Sequence, residues 1–179
     1  YPKFDKVPVR LTNEQRAILD VMKGEKNLTA DVKQLRIFDA AGSLDPACPL
    51  LDAIRVSLST RQSRKERTLG KALTDEFVMP PYGWDPGVVR VGVAALVRAG
   101  SVRILINKKP FTNPADTELQ DAIRVSRTFE KVGLELEETE VEADVLTEVR
   151  ALLIKLIGKR QIDETPAALS AEMEQFGKG

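Results

Sequence analysis

The sequence predicts a mainly α-helical protein in which one apolar helix is followed directly by a β-hairpin. Apolar residues recur at three- and four-residue intervals along much of the 179-residue chain, which is the pattern of amphipathic helices. Between Asp85 and Gly100, an N-cap aspartate and a proline at the first helical position begin a helix that the glycine ends. Val102–Ile106 then places β-branched residues on one face of a strand, and "NKKP" supplies a turn. A helix, a glycine and a hairpin in this order predict a winged-helix-like unit.

The first helix of the chain is predicted over residues 13–23, where four apolar residues share one face. Thr12 and Gln15 have the spacing of a capping box, in which two side chains satisfy the free N–H groups of the first turn. Gly24 follows the last periodic residue, and glycine at this position ends helices because it adopts a left-handed conformation without strain.

Three more helices are predicted before the apolar helix. They are expected at residues 30–41, from Pro46 or Pro49 onward, and at residues 68–78. The last of them would bury Leu69, Leu73 and Phe77, which recur at four-residue spacing. The sequence "PPYGW" then breaks the helical pattern ahead of Asp85.

Beyond the hairpin, one helix is predicted from its cap at Asn113 to its stop at Gly133. The acidic stretch "LELEETEVE" is expected to be a strand or an extended link. Two further helices are expected at residues 143–158 and 166–176. The whole chain is thus expected to divide into a helical segment over residues 1–60, the winged-helix-like module over residues 61–113, and a helical segment over residues 114–179.

Composition excludes most kinds of active site. The chain has no histidine, which removes His-based triads and imidazole ligands, and it lacks the glycine–lysine loop that cradles nucleotide phosphates. Cys48 is the single cysteine, so it forms neither an internal disulfide nor a structural zinc site, and it is expected to be a small buried apolar residue. We therefore expect no catalytic residue, no metal, no cofactor and no membrane-spanning segment in this chain. The reducing cytoplasm is its expected location.

The apolar helix is expected to be core rather than a reader of DNA bases. A recognition helix presents polar side chains from its N-terminal half, but here only Arg90 and, two turns later, Arg98 are available. These two arginines are eight residues apart and are expected to have exposed guanidinium ends on one solvated face. The residues expected to be buried are Val89, Val93, Leu96 and Val97.

Basic residues are concentrated in the middle of the chain, although the formal net charge is zero. The candidate contact residues are Arg61, Arg64, Lys65, Arg67, Lys71, Arg90, Arg98, Lys108 and Lys109. Of these, Lys108 and Lys109 are expected at the tip of the hairpin. Such residues can bind phosphates, dock against an acidic protein neighbour, or simply form a solvated surface, and the sequence leaves these alternatives open.

Tyr82 and Trp84 are the remaining candidates. Two prolines and Gly83 fix the backbone around the rings, so the pair could stack on a ligand or anchor an interface. The alternative, which the sequence favours, is a structural corner that closes one end of the core.

The segment "PPYGWDPGVVRVGVAALVRAGSVRILINKKPFT", together with "YPKF" at the start and the acidic helical stretch after the hairpin, resembles the large P-loop ATPase-like proteins of BREX phage-defence systems, the BrxC or PglY family. Members of that family carry the nucleotide site in a separate region, so the resemblance implies no ATP hydrolysis here. It implies an interaction or scaffolding module whose partners are other domains of a larger protein or other subunits of the defence complex. Non-specific binding of double-stranded DNA through phosphates is the alternative.

Overall fold

The computed structural model describes residues 7, 9–24, 28–39, 42–45 and 47–137. In chain order its elements are α1 (Glu14–Lys23), α2 (Ala30–Gln34), α3 (Pro49–Ser63), β1 (Thr68–Leu69), α4 (Gly70–Val78), α5 (Pro86–Arg98), β2 (Val102–Ile106), β3 (Lys109–Phe111), α6 (Thr117–Arg124), α7 (Ser126–Phe129) and β4 (Gly133–Leu136). The helices predicted at residues 143–158 and 166–176 lie outside the described residues. The fold class is confirmed: helices dominate, and one small sheet accompanies them.

The strands form an antiparallel sheet in the order β1-β4-β2-β3. The predicted hairpin is present, because Val102–Ile106 pairs with the strand that follows it. Asn107 and Lys108 form its two-residue turn with φ values of 51° and 67°, the positive values that tight hairpin turns require. The return strand begins at Lys109, inside the stretch "NKKP" that was predicted as the turn, because Ile106 pairs with Lys109 directly across it.

Strand β4 is a central strand of the sheet, which the sequence did not predict. It pairs with β1 through Leu134 and Thr68, and with β2 through Leu134 and Ile104. Of the stretch expected to be a strand or an extended link, residues 134–136 are strand, and the residues after 137 lie outside the described part of the chain. The one glutamate of β4, Glu135, is tolerated there because it lies opposite Arg103 on the same face.

The core is built around α5. Every residue from Gly87 to Val97 is buried, and α1, α3, α4 and α6 all pack against this helix. The prediction that Val89, Val93, Leu96 and Val97 are buried is confirmed. Gly92 allows α3 to approach closely, since a Cβ atom at this position would lie 2.6 Å from Cδ1 of Ile54.

The first two helices differ from their predicted limits. Asn13, rather than the Thr12 and Gln15 pair, caps α1 by accepting a hydrogen bond from the Arg16 N–H at 3.1 Å. Thr12 instead donates its own N–H to Asp31. Gly24 ends α1 with φ 71°, as predicted. The second helix stops at Gln34 rather than at residue 41, because the chain turns back and Phe38 forms a bridge with Leu44.

The third helix begins at Pro49, the later of its two predicted starts. The fourth begins at Gly70, because Thr68 and Leu69 are used as strand β1. Leu73 and Phe77 are buried as predicted, but the predicted burial of Leu69 is wrong, since this residue is exposed beside the strand edge.

The helix after the hairpin begins later than predicted and is interrupted. Asp116, not Asn113, caps α6 by accepting hydrogen bonds from the N–H groups of Glu118 and Leu119. Asn113 forms a local turn with Ala115 instead. Val125 then adopts an extended conformation between α6 and α7, so the single predicted helix is two short ones.

Candidate interaction surfaces

Arg90 is a core residue, and the prediction that its guanidinium group is exposed is wrong. Its side chain is 3% exposed and forms an ion pair with Glu14 at the start of α1. Its NH1 group also donates a hydrogen bond of 2.8 Å to the carbonyl oxygen of Arg124. Gly87, one turn earlier, leaves room for the Glu14 carboxylate, because a Cβ atom there would lie 2.6 Å from it. Arg90 thus joins α1, α5 and α6 and does not contribute to a surface.

Arg98 is half-buried and is directed at the end of α1. Its NH1 group donates a hydrogen bond of 3.2 Å to the carbonyl oxygen of Met22, one of the last carbonyls of that helix. The guanidinium group lies against Gly24, where a side chain would collide with it. A cation is favourable at a helix C-terminus, where carbonyl groups lack partners within the helix. This arginine therefore completes the packing of α1 on α5, and the predicted solvated face of α5 is absent from the described structure.

Arg103 on β2 is paired with two carboxylates across the sheet. Its distances to the carboxylate oxygens are 2.8 Å for Glu135 and 3.2 Å for Glu137. The hydrogen bond that Arg103 donates to Glu135 raises the pKa of the Arg103 guanidinium, because it stabilises the charged form. The positive charge of this residue is thus largely compensated, and a phosphate would have to compete with both glutamates.

The hairpin tip presents two lysines to solvent, as predicted. Lys108 and Lys109 are exposed, and no carboxylate of the described residues forms an ion pair with either. Of the five basic residues between Pro86 and Ala115, these two are therefore the ones whose charge faces water.

The second basic cluster lies at the end of α3 and the start of β1. Two of its five members form ion pairs: Arg61 with Glu76 at 2.9 Å and Lys71 with Asp75 at 3.2 Å. The other three are exposed, and the structure gives them no ion pair among the described residues; they are Arg64, Lys65 and Arg67. We call these three residues the α3 basic cluster.

The strand register places the hairpin tip and the α3 basic cluster at diagonal corners of the sheet. Thr68 on one edge strand aligns with Phe111 on the other through Leu134 and Ile104. Arg67 extends from β1 in the direction opposite to the hairpin turn. Three strand spacings of about 4.8 Å and three residues of about 3.3 Å give a backbone separation of roughly 17 Å between Arg67 and Lys109. The two sets of cations are therefore separate surfaces.

The aromatic residues of "PPYGW" form a corner with Phe77 of α4. Trp84 stacks on Phe77 with ring centroids 5.0 Å apart, and Tyr82 meets both rings edge-on. Trp84 is 2% exposed, and its backbone N–H donates to the carbonyl oxygen of Phe77 at 2.8 Å. Trp84 is therefore a structural residue of the core, whereas Tyr82 is half-exposed. The bond between Pro80 and Pro81 is cis.

A cleft of about 450 Å³ lies between α3 and this aromatic corner. Its lining residues are Pro49, Asp52, Ala53, Val56, Ser57, Thr60, Arg61, Arg64, Glu66, Glu76, Tyr82 and Trp84. Glu76 is held on its wall by hydrogen bonds from the Ser57 hydroxyl at 2.7 Å and from Arg61 at 2.9 Å. Val56, in the middle of α3, is 57% exposed at the cleft.

The comparison with protein families decides which family this fold represents. The family model for the winged helix-turn-helix domain of the BREX ATP-binding protein BrxC matches residues 11–138. The chain belongs to this BrxC family. The match covers more than two thirds of the sequence and includes every helix and strand described above. No curated protein and no solved structure gives a significant match.

In this BrxC-type domain, the helix before the wing does not have an exposed polar face. Sequence reasoning found the basic residues but missed the groups that engage three of them: Glu14, the Met22 carbonyl, and two glutamates, Glu135 in β4 and Glu137 just after it. An acidic residue in the first turn of α1 was the one available signal for Glu14. Glu14 and Arg90 are 76 positions apart in the sequence, so no local sequence pattern indicates that they form an ion pair.

Cys48 of the BrxC-type domain is buried, as predicted. Its thiol is 3.3 Å from the carbonyl oxygen of Leu35, and burial raises the pKa of the thiol, which keeps it protonated and unreactive. Within the described residues, no group of three or more potential ligands is placed to hold a metal ion. The described helices are also too short or too polar to cross a bilayer.

Proposed function

We propose that this domain is a non-catalytic protein-interaction module of a large BrxC-type protein in a BREX phage-defence system. Its partners would be other domains of the parent protein or other subunits of the defence complex, in the cytoplasm. The observation that carries the proposal is the burial of α5 from Gly87 to Val97. A helix that is covered on all sides by the domain itself has no surface left with which to enter a DNA groove.

The argument against base reading is geometric. Direct readout requires side chains with hydrogen-bonding groups that reach base edges in the major groove. In α5, Arg90 and Arg98 are the residues with such groups, and both donate to the protein itself. Releasing them would separate α1 and α6 from α5, and thus open the core of the domain.

A second candidate function is supported by the hairpin tip. Lys108 and Lys109 are exposed without an ion pair in the described structure, and a wing can place such residues against a phosphate backbone. Because the α3 basic cluster lies roughly 17 Å away in backbone position, one DNA duplex would meet the two sets at separate phosphates. Binding of this kind would be weak, independent of sequence and strongly dependent on salt.

One experiment compares the two functions directly. The 179-residue chain is mixed with each other region of the parent protein and each other BREX subunit in turn, and complexes are detected by sedimentation velocity. We expect at least one protein complex. In parallel, labelled duplex DNA is titrated at low salt up to about 100 μM chain, where non-specific DNA binders normally associate. We expect no DNA binding there.

The outcomes are distinguishable. DNA binding with no protein complex would replace the proposed function with the second one. A protein complex that survives at high salt and forms without DNA supports the proposal. If the chain binds neither DNA nor any of these proteins, both functions are wrong.

A further inference from the structure

We propose that the outer face of the β-sheet is the docking surface for one amphipathic, acidic segment of a partner protein. The inference rests on the proposed function and deepens it, since it names the surface of the interaction module and the chemistry of its partner. Two observations carry it: an apolar row that crosses the four strands, and an excess of lysines along one border of that row.

The strand register places apolar residues in a row across the sheet. Gly133 of β4 lies opposite Leu69 of β1 on one side and opposite Leu105 of β2 on the other. Pro110 of β3 in turn lies opposite Leu105. Three strand spacings of about 4.8 Å give the row a length of roughly 14 Å. We call Leu69, Gly133, Leu105 and Pro110 the outer row.

The outer row faces away from the helices. Successive side chains of a strand point to opposite faces of the sheet, and Ile104, the neighbour of Leu105, is buried in the core. Leu69 is 36% exposed, Leu105 is partly exposed and Pro110 is exposed. None of these three packs against the hydrophobic core. Gly133 leaves space for Leu105, since a Cβ atom there would lie 3.1 Å from the Leu105 Cβ, and the row is therefore continuous.

The border of the outer row away from the hairpin turn is electrically balanced. Arg103 lies on this border and is bound to both Glu135 and Glu137. Arg67, two residues before Leu69, is the second cation here. Two cations thus face two carboxylates, and this border has no preference for a charged partner.

On the border next to the hairpin turn, lysines exceed carboxylates. The pairing of β1 with β4 continues there, because the Lys71 N–H donates a hydrogen bond of 3.1 Å to the Glu130 carbonyl oxygen. Lys131 follows Glu130 and is exposed, as are the two lysines of the hairpin tip. The lysines of this border are Lys71, Lys108, Lys109 and Lys131, and its acids are Asp75 and Glu130. This border therefore carries two positive charges in excess.

The two borders and the row between them define the partner. Apolar side chains gain free energy when they cover the row, which phosphates cannot do, so the ligand is a protein rather than a nucleic acid. Carboxylates along one edge of the partner complement the lysine border and fix the direction in which it lies. A helix covers roughly 14 Å with about nine or ten residues, so one amphipathic segment is sufficient.

The test uses the parent region or BREX subunit that forms a complex in the sedimentation experiment. Leu69→Glu places a charge in the outer row, and Val56→Glu makes the same change at an exposed aliphatic residue of the α3 cleft. We expect Leu69→Glu to raise the Kd at least about tenfold and Val56→Glu to leave it unchanged. Circular dichroism of both variants checks that the fold is retained.

A charge reversal tests the acidity of the partner segment. Lys108→Glu, Lys109→Glu should raise the Kd several-fold, because it inverts the charge of the lysine border. Arg64→Glu, Lys65→Glu is the matched control with the same change in net charge, and it should leave the Kd unchanged.

Thiol labelling locates the contact without altering a charge. Leu69→Cys should react with a thiol reagent in the free chain and become protected in the complex, whereas Val56→Cys should react equally in both. The buried Cys48 contributes little background.

Each other result overturns the proposal in a recognisable way. If a complex forms but Leu69→Glu binds as well as the unsubstituted chain, the outer row is not the docking surface, although the proposed function stands. Loss of binding in Val56→Glu alone would assign docking to the α3 cleft. A tip reversal without effect would mean that the partner segment is not acidic. Protection of Leu69→Cys in the free chain would mean that the row is already occupied, and the absence of any complex would overturn both the proposed function and this inference.

Discussion

Helix α5 and the β2–β3 hairpin are neighbours in the chain but differ completely in their access to solvent. Every residue of α5 from Gly87 to Val97 is buried, whereas Lys108 and Lys109 at the hairpin tip are exposed. The comparison shows that a helix and a wing in the right order do not by themselves form a DNA-reading surface. The additional helices α1, α3 and α6 cover the face of α5 that would have to read bases.

The two regions also use their cations differently. The arginines before the tip form fixed contacts: Arg90 with Glu14, Arg98 with a carbonyl of α1, and Arg103 with one glutamate in β4 and one just after it. The tip has lysines instead. The planar guanidinium group suits geometrically defined contacts, whereas the ammonium group is a strongly hydrated point charge on a flexible stem. The arginines therefore serve the fold, and the lysines remain available to a partner.

The largest expected effect is the loss of packing in α5. Leu96→Ala should lower the free energy of unfolding by about 2–5 kcal/mol, because Leu96 is fully buried and its truncation leaves a cavity. Urea unfolding followed by circular dichroism measures the change. The control is Leu69→Ala on the exposed edge of β1, which should cost less than about 1 kcal/mol. Equal small effects would mean that α5 is a surface helix, and the comparison would fail.

The second effect concerns the buried arginine. Glu14→Ala should cost about 2 kcal/mol, because it leaves the Arg90 charge in the core with one hydrogen bond to a carbonyl. The value is below the ~3–5 kcal/mol expected for a fully buried pair, since the Glu14 side chain is 41% exposed and water can replace it.

Arg16→Ala is the matched control for Glu14→Ala on the same helix. It removes an exposed pair with Asp20 at 3.4 Å and should change stability by less than about 0.5 kcal/mol. If Glu14→Ala were as mild as this control in urea unfolding, Arg90 would be able to reach water and could take part in binding.

Local signals predicted most of α5 and the hairpin. Asp85 caps α5 by accepting a hydrogen bond from the Gly87 N–H, and Gly100 follows the helix with φ 73°, as their positions in the sequence indicate. The hairpin turn at Asn107 was also predicted from the sequence, because the two strands that it joins are adjacent in the chain. For the same reason, exposure of the tip lysines was predicted correctly.

Features that depend on distant residues were missed. The burial of Arg90 requires Glu14, and the central position of β4 requires β1, which lies more than 60 residues earlier. Thr68 and Leu69 continue the helical period of α4, but pairing with β4 takes them into the sheet. Competing local caps also misled the prediction, since Asp116 rather than Asn113 begins α6. Tertiary pairing decided the first three of these cases, whereas the start of α6 was decided between two local caps.

The third prediction concerns the stability of the hairpin turn. Lys108→Gly should raise stability by about 0.5–1 kcal/mol, because Lys108 has φ 67° and glycine adopts this left-handed conformation without strain. Lys109→Gly removes the same charge from a paired strand position and should be neutral or destabilising. Thermal unfolding of the two variants separates turn geometry from charge. A loss of stability in Lys108→Gly would show that the lysine side chain packs on the hairpin.

Lys108→Glu, Lys109→Glu is expected to have the smallest effect on stability. The same double variant tests whether the hairpin tip binds DNA. Exposed charges without ion pairs contribute little to folding, so the free energy of unfolding should change by less than about 0.5 kcal/mol. If the domain is a protein-interaction module, we expect the unsubstituted chain to bind no DNA at about 100 μM. If binding is seen, each lost phosphate contact should flatten the slope of log K against log salt by about 0.9, which is about 1.8 for both lysines.

Arg64→Glu, Lys65→Glu is the matched reversal at the other corner of the sheet. If the salt slope changes with the Lys108 and Lys109 reversal but not with the Arg64 and Lys65 reversal, the hairpin contacts DNA. If both reversals change the slope equally, binding depends on the total charge of the domain and not on a specific contact.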